Sequence, residues 1–126
     1  MFRTIVASLT LLVLAAAPAA AHSEGAHGAK HGGKVVESGH HHLEVVVKDG
    51  SLEVFVEGED GRPEDIKEAK ATATVLSGGK KEDVTLAPGD ASLKGTGSFT
   101  AVKGTTVVIT LTMPGHKPEQ ARVKLD

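Results

Sequence analysis

Between residues 43 and 56 the chain alternates in two matched runs. Leu43, Val45 and Val47 are separated by Glu44 and Val46, and after Asp49-Gly50 the alternation resumes at Leu52, Val54 and Val56, with Glu53 and Phe55 between them. A period of two places one set on a buried strand face and the other on the opposite face. Asp-Gly between two such runs predicts a hairpin closed by a type I′ turn, in which both central residues take positive φ. Shorter runs follow at 70–76, 83–87, 92–94, 105–113 and 121–125, punctuated by Gly78-Gly79, Pro88-Gly89, Gly95-Thr96-Gly97, Lys103-Gly104 and Pro114-Gly115. Short strands with this turn punctuation predict an all-β domain. About seven antiparallel strands predict a small β-sandwich of immunoglobulin-like kind, with a small open barrel as the alternative. Only residues 63–70 hint at helix. Val46 and Phe55 fall opposite the main apolar set, so either a neighbouring segment covers them or they form a patch for a partner.

The alternation stops short of the amino end. Arg3 is followed by an apolar run over residues 5–17 and then by Ala17-Pro18-Ala19-Ala20-Ala21, the three parts of a secretory signal peptide, which predicts a leader over residues 1–21. Cleavage after Ala19 is the alternative. The apolar run is too short for a transmembrane helix, and no cysteine follows it to carry a lipid. Export to the periplasm without membrane insertion is the expectation. Residues 22–34 contain His, Gly, Ala, Ser, Glu and Lys with no apolar periodicity, which predicts a flexible His/Gly-rich arm ahead of a β-domain at 35–126.

Composition narrows the function classes. The chain has 14 basic and 16 acidic residues, a formal net charge of −2, which argues against nucleic acid as a partner because phosphate recognition rewards clustered Lys and Arg. Three Phe with no Trp or Tyr leave no stacking platform for bases. There is no cysteine, so neither a disulfide nor a thiolate metal site is available. Any metal must be held by imidazole, carboxylate, thioether or the amino terminus.

Histidine is the residue type that stands out. Six of the seven lie between His22 and His42, and neutral imidazole suits Zn, Cu, Ni and Co alike. His22, His27 and His31 fall in the arm, and His40, His41 and His42 at the start of the first long strand. Alternation places His40 and His42 on one face as a chelating pair and leaves His41 on the other with Leu43. Arm histidines closing over that pair would give a labile site, with Glu24, Glu37 and Glu44 available to ligate or to orient imidazoles. The predicted cofactor is a labile divalent transition metal ion, Zn or Cu first.

Several smaller constellations accompany this one. Cleavage after Ala21 would make His22 an amino-terminal copper chelate, and cleavage after Ala19 would give Ala-Ala-His. Met113-Pro114-Gly115-His116 sets a thioether and an imidazole beside a turn, a candidate copper pair. Glu57-Gly58-Glu59-Asp60-Gly61 lacks the carboxylate spacing of a calcium loop and reads as a solvated turn. Ser38, His40 and Asp49 contain the residue types of a triad, but without a nucleophile elbow or an oxyanion hole, so a non-enzymatic protein is expected.

The stretches HGGKVVESG, HLEVVV, LEVFVEGEDGRPED, KATATVLSGGKKEDVTLAP and LKGTG resemble the small β-domain at the amino end of periplasmic adaptor subunits of heavy-metal efflux systems, and its stand-alone exported homologues. The resemblance spans about residues 31 to 100, much of it turn grammar that unrelated β-domains share. His31 matches the start of the motif, and the triple histidine at 40–42 departs from it. The resemblance implies a periplasmic role in binding or delivering metal, with an efflux adaptor or another envelope protein as partner. The competing expectation is a non-catalytic interaction module with incidental histidines.

Overall fold

The computed structural model describes residues 28–126, so the expected leader, His22 and His27 lie outside the described residues. Eight strands follow one another: β1 Lys34–Ser38, β2 His41–Lys48, β3 Ser51–Gly58, β4 Lys70–Ser77, β5 Lys80–Pro88, β6 Leu93–Thr96, β7 Thr106–Thr112 and β8 Glu119–Lys124. Every pairing is antiparallel, and the hydrogen-bonded order is β1-β2-β3-β6-β5-β4-β7-β8. The all-β expectation holds. The strands form one continuous sheet whose end strands β1 and β8 come side by side, nearly closing it, where the sequence pattern predicts two facing sheets.

Side chains close the seam in place of a backbone ladder. At one end of it Lys34 Nζ donates to the Lys124 carbonyl at 2.8 Å and pairs with Asp126 at 2.7 Å. At the other, Glu119 at the head of β8 accepts from His41 Nδ1 at 2.9 Å. The interior is filled by alternate residues of the strands, with Leu43, Leu52, Leu93, Ile109 and Leu111 fully buried. Burying an aliphatic side chain of this size contributes about 1.5–3 kcal/mol, and these dominate the stability of a chain without disulfides.

Three local expectations are corrected. Residues 63–70 form a bridge to Glu57 and a turn, with no helix, and Ile66 from this segment is buried in the core. The Asp49-Gly50 turn is not type I′, because Gly50 has φ +67° while no described residue other than glycine has positive φ. The triple histidine does not begin one strand. Ser38 pairs with His41 across a two-residue turn, Gly39-His40, which makes residues 34–38 a strand of their own. Gly39, at φ +56°, takes a conformation that a side chain resists, and it packs directly against the Glu119 carboxylate.

Candidate functional site

The turn at Gly39-His40 decides where the histidines go. It takes His40 off the strand, so His40 and His42 do not share a strand face. His40 is exposed and its Nδ1 lies 3.1 Å from Glu59. His42 points to the outer face of β2, with Nε2 3.3 Å from Glu37 of β1. His41 points inward in line with Leu43 and Val45, and only 4% of it is exposed. Its alternation partner set is the one the sequence pattern predicts.

The loop after β7 brings the seventh histidine to the same place. The ring of His116 lies edge-on to that of His41, with centroids 5.2 Å apart, and 6.2 Å from that of His40. The turn and the loop are 75 residues apart in sequence and meet because β1–β2 and β7–β8 flank the seam. A cavity of about 270 Å³ opens beside them, lined by His41, Glu64, Asp65, Glu68, Met113, Pro114 and His116. Its carboxylates come from the segment after β3 that reads as helical in sequence.

Carboxylates engage the imidazoles from one side. The Glu119 carboxylate accepts from His41 Nδ1, fixing the ring and leaving Nε2 as the nitrogen with a lone pair. Glu59 stands in the same relation to His40. A carboxylate on one ring nitrogen is how proteins orient an imidazole whose other nitrogen ligates. No group of three His, Cys, Asp or Glu among the described residues is set at ligating distance, so these residues do not form a preorganised cage.

A second histidine environment lies on the outer face of β2 and β3. Glu44 is 6% exposed, and its carboxylate accepts the backbone N–H groups of Lys30, His31 and Gly33 at 2.9, 2.8 and 2.9 Å. It also accepts from His31 Nδ1 at 2.8 Å. Burial alone would raise the carboxyl pKa, but the donated hydrogen bonds outweigh it and hold the value down from 4.5 to about 2. The His31 ring stacks on Phe55, with centroids 3.6 Å apart and planes 1° from parallel. Lys30 Nζ completes the fastening on Glu57 at 2.7 Å. Gly33 allows it, since a Cβ there would sit 2.5 Å from the Val45 carbonyl.

The end of the expected arm is therefore part of the domain. His31 and Gly33 also answer the question raised by the outward pair: His31 covers Phe55, and Gly33 lies against Val46. Gly28, the first described residue, lies beside His42, Glu44 and Glu57. The triad residues do not meet. Asp49 lies at the far end of β2, accepting from Ala101 N–H at 2.8 Å, and Ser38 is buried with its hydroxyl unbonded.

Sequence reasoning missed Glu119 and Glu59 as partners of the histidines, and no local signal marks either. His116 was legible only as half of a Met-His pair, and His41 as a packed residue. Among the described residues no helix is long and apolar enough to cross a membrane. No family model matches the chain, and no curated protein and no solved structure is similar to it.

Proposed function

We propose that the protein is an exported, non-enzymatic binder of divalent transition metal, Zn, Cu, Co or Ni, acting in the periplasm as a buffer or chaperone in heavy-metal efflux or resistance. The observation that supports this is the meeting of His40, His41 and His116 at one end of the sheet, His41 and His116 lining one cavity and His40 and His41 each hydrogen-bonded to a carboxylate. Imidazole donors without thiolate make a labile site that exchanges its ion. His40 sits on an exposed turn and can close on an ion approached by His116. Ligand exchange with an efflux adaptor would then pass the ion on. The leader-like amino end and the resemblance of residues 31–100 to adaptor β-domains support the location and the partner class.

Calorimetry with Zn(II) and Cu(II) on the full chain tests the reading. Replacing both His40 and His116 by Ala is expected to weaken binding at least tenfold while the fold is retained. Unchanged affinity in that variant would overturn the assignment to this end of the sheet.

A further inference from the structure

The cavity that His41 and His116 line holds a donor that the exposed turn at His40 does not. Met113, the residue after β7, is buried at 5% exposure and lines the cavity together with His41 and His116. It is the only methionine other than Met1, in a chain with no cysteine. His41 is buried with Nδ1 given to Glu119, so Nε2 is its one ring nitrogen left for a ligand. His116 carries no hydrogen bond from its ring among the described residues, and its backbone N–H donates to the Met113 carbonyl at 3.0 Å, closing the turn that links the two.

We infer that this cavity is a soft-ion subsite taking monovalent copper, with His41 Nε2, His116 and the Met113 thioether as ligands. The inference rests on the metal-binding reading above and adds to it the oxidation state and the sulfur ligand. Thioether sulfur is a soft donor that selects Cu(I) over Zn(II), and imidazole serves either. A closed Zn(II) site requires four ligands. Cu(I) is content with two or three donors, the number the cavity supplies. Glu64, Asp65 and Glu68 line the same cavity and, as hard oxygen donors, attract cations to it rather than ligate soft ones.

The test is a Cu(I) titration of the full chain under reducing, anaerobic conditions against a bicinchoninate competitor, run beside Zn(II) and Cu(II) titrations. Met113→Leu conserves volume and preserves packing. It is expected to weaken Cu(I) binding at least tenfold and to leave Zn(II) and Cu(II) affinities within twofold. X-ray absorption of the wild-type Cu(I) complex is expected to show a sulfur neighbour that disappears in the Met113→Leu protein. Equal Cu(I) affinity in the two proteins, or copper with only nitrogen and oxygen neighbours in the wild type, overturns the inference. If Zn(II) and Cu(II) still bind through His40 and His116 in that case, the broader reading survives. If the wild type binds none of the three ions, both fail. Should the variant not fold, the wild-type absorption spectrum decides alone.

Discussion

Two histidine environments, one at the Glu44 clasp and one at the Gly39-His40 turn, differ in what surrounds the imidazoles. At the Glu44 clasp three backbone N–H groups and one imidazole N–H converge on one buried carboxylate, and one face of the His31 ring lies on Phe55. At the turn end, His40, His41 and His116 cluster with one ring nitrogen each of His40 and His41 engaged and, among the described residues, no partner on the other ring nitrogens. Histidine count alone does not separate the two. What separates them is the company each ring keeps: His31 is a single imidazole stacked on Phe55, whereas His41 stands edge-on to a second imidazole, His116, with which it lines one cavity.

The contrast is broken most strongly from the clasp side. Glu44→Gln removes the charge that the donors converge on, and the drop of its carboxyl pKa from 4.5 to about 2 corresponds to about 3 kcal/mol of stability. Denaturant unfolding should show a loss of that order, while calorimetric metal affinity at the turn end is unchanged. The sign with pH follows from the lowered value. The Glu44 contribution is fully present above pH 4.5 and is lost as pH falls through about 2. Metal affinity declines earlier on acidification, as the imidazoles that must ligate become protonated.

A smaller effect is expected where the clasp depends on bare backbone. Gly33→Ala would push a Cβ to 2.5 Å from the Val45 carbonyl and 2.9 Å from Val46 Cγ2. The strand must shift to admit it, at a cost of about 1–3 kcal/mol, read as a lowered unfolding midpoint. Amide hydrogen exchange at residues 30–33 should rise in step, because the N–H groups donated to Glu44 are those displaced.

Glu119 links the two kinds of role, since its carboxylate holds His41, packs against Gly39 and closes the seam. Glu119→Gln keeps the shape and weakens the acceptor. Stability is expected to fall by about 1 kcal/mol, and metal affinity by about tenfold or more, as when a carboxylate behind a ligating imidazole is lost. A change in stability with no change in affinity would make Glu119 a seam residue only. Least affected is the outer face. His42→Ala is expected to leave affinity within twofold, whereas the pattern of alternation alone would rank it beside His40.

Much of the fold was legible because the alternation is strict where it matters. Leu43, Val45, Leu52, Val54 and Val56 are buried as their period demands, and the residues after them follow suit at Val75, Val84, Leu86, Val107, Ile109 and Leu111. The short first strand was not, because Val35-Val36 shows no alternation and Ser38-Gly39-His40 blends into the histidine run. A glycine at the first central position of a two-residue turn was the available signal. Closure into one sheet depends on Lys34 and Glu119, each reaching across the seam to residues far away in sequence. Such side-chain bridges leave no periodic trace. For the same reason the sequence could point to histidines without grouping them: only the topology brings His116 to His41 and assigns His31 to Phe55.

The central claim is that the turn end, and not the clasp, is where metal is taken. The most direct measurement is an imidazole-resolved nitrogen–proton NMR titration of the full chain with Zn(II). The account predicts that ring resonances of His40, His41 and His116 move or broaden together, and that those of His31 stay fixed. Perturbation confined to His22 and His27, or reaching His31 before His116, would contradict it.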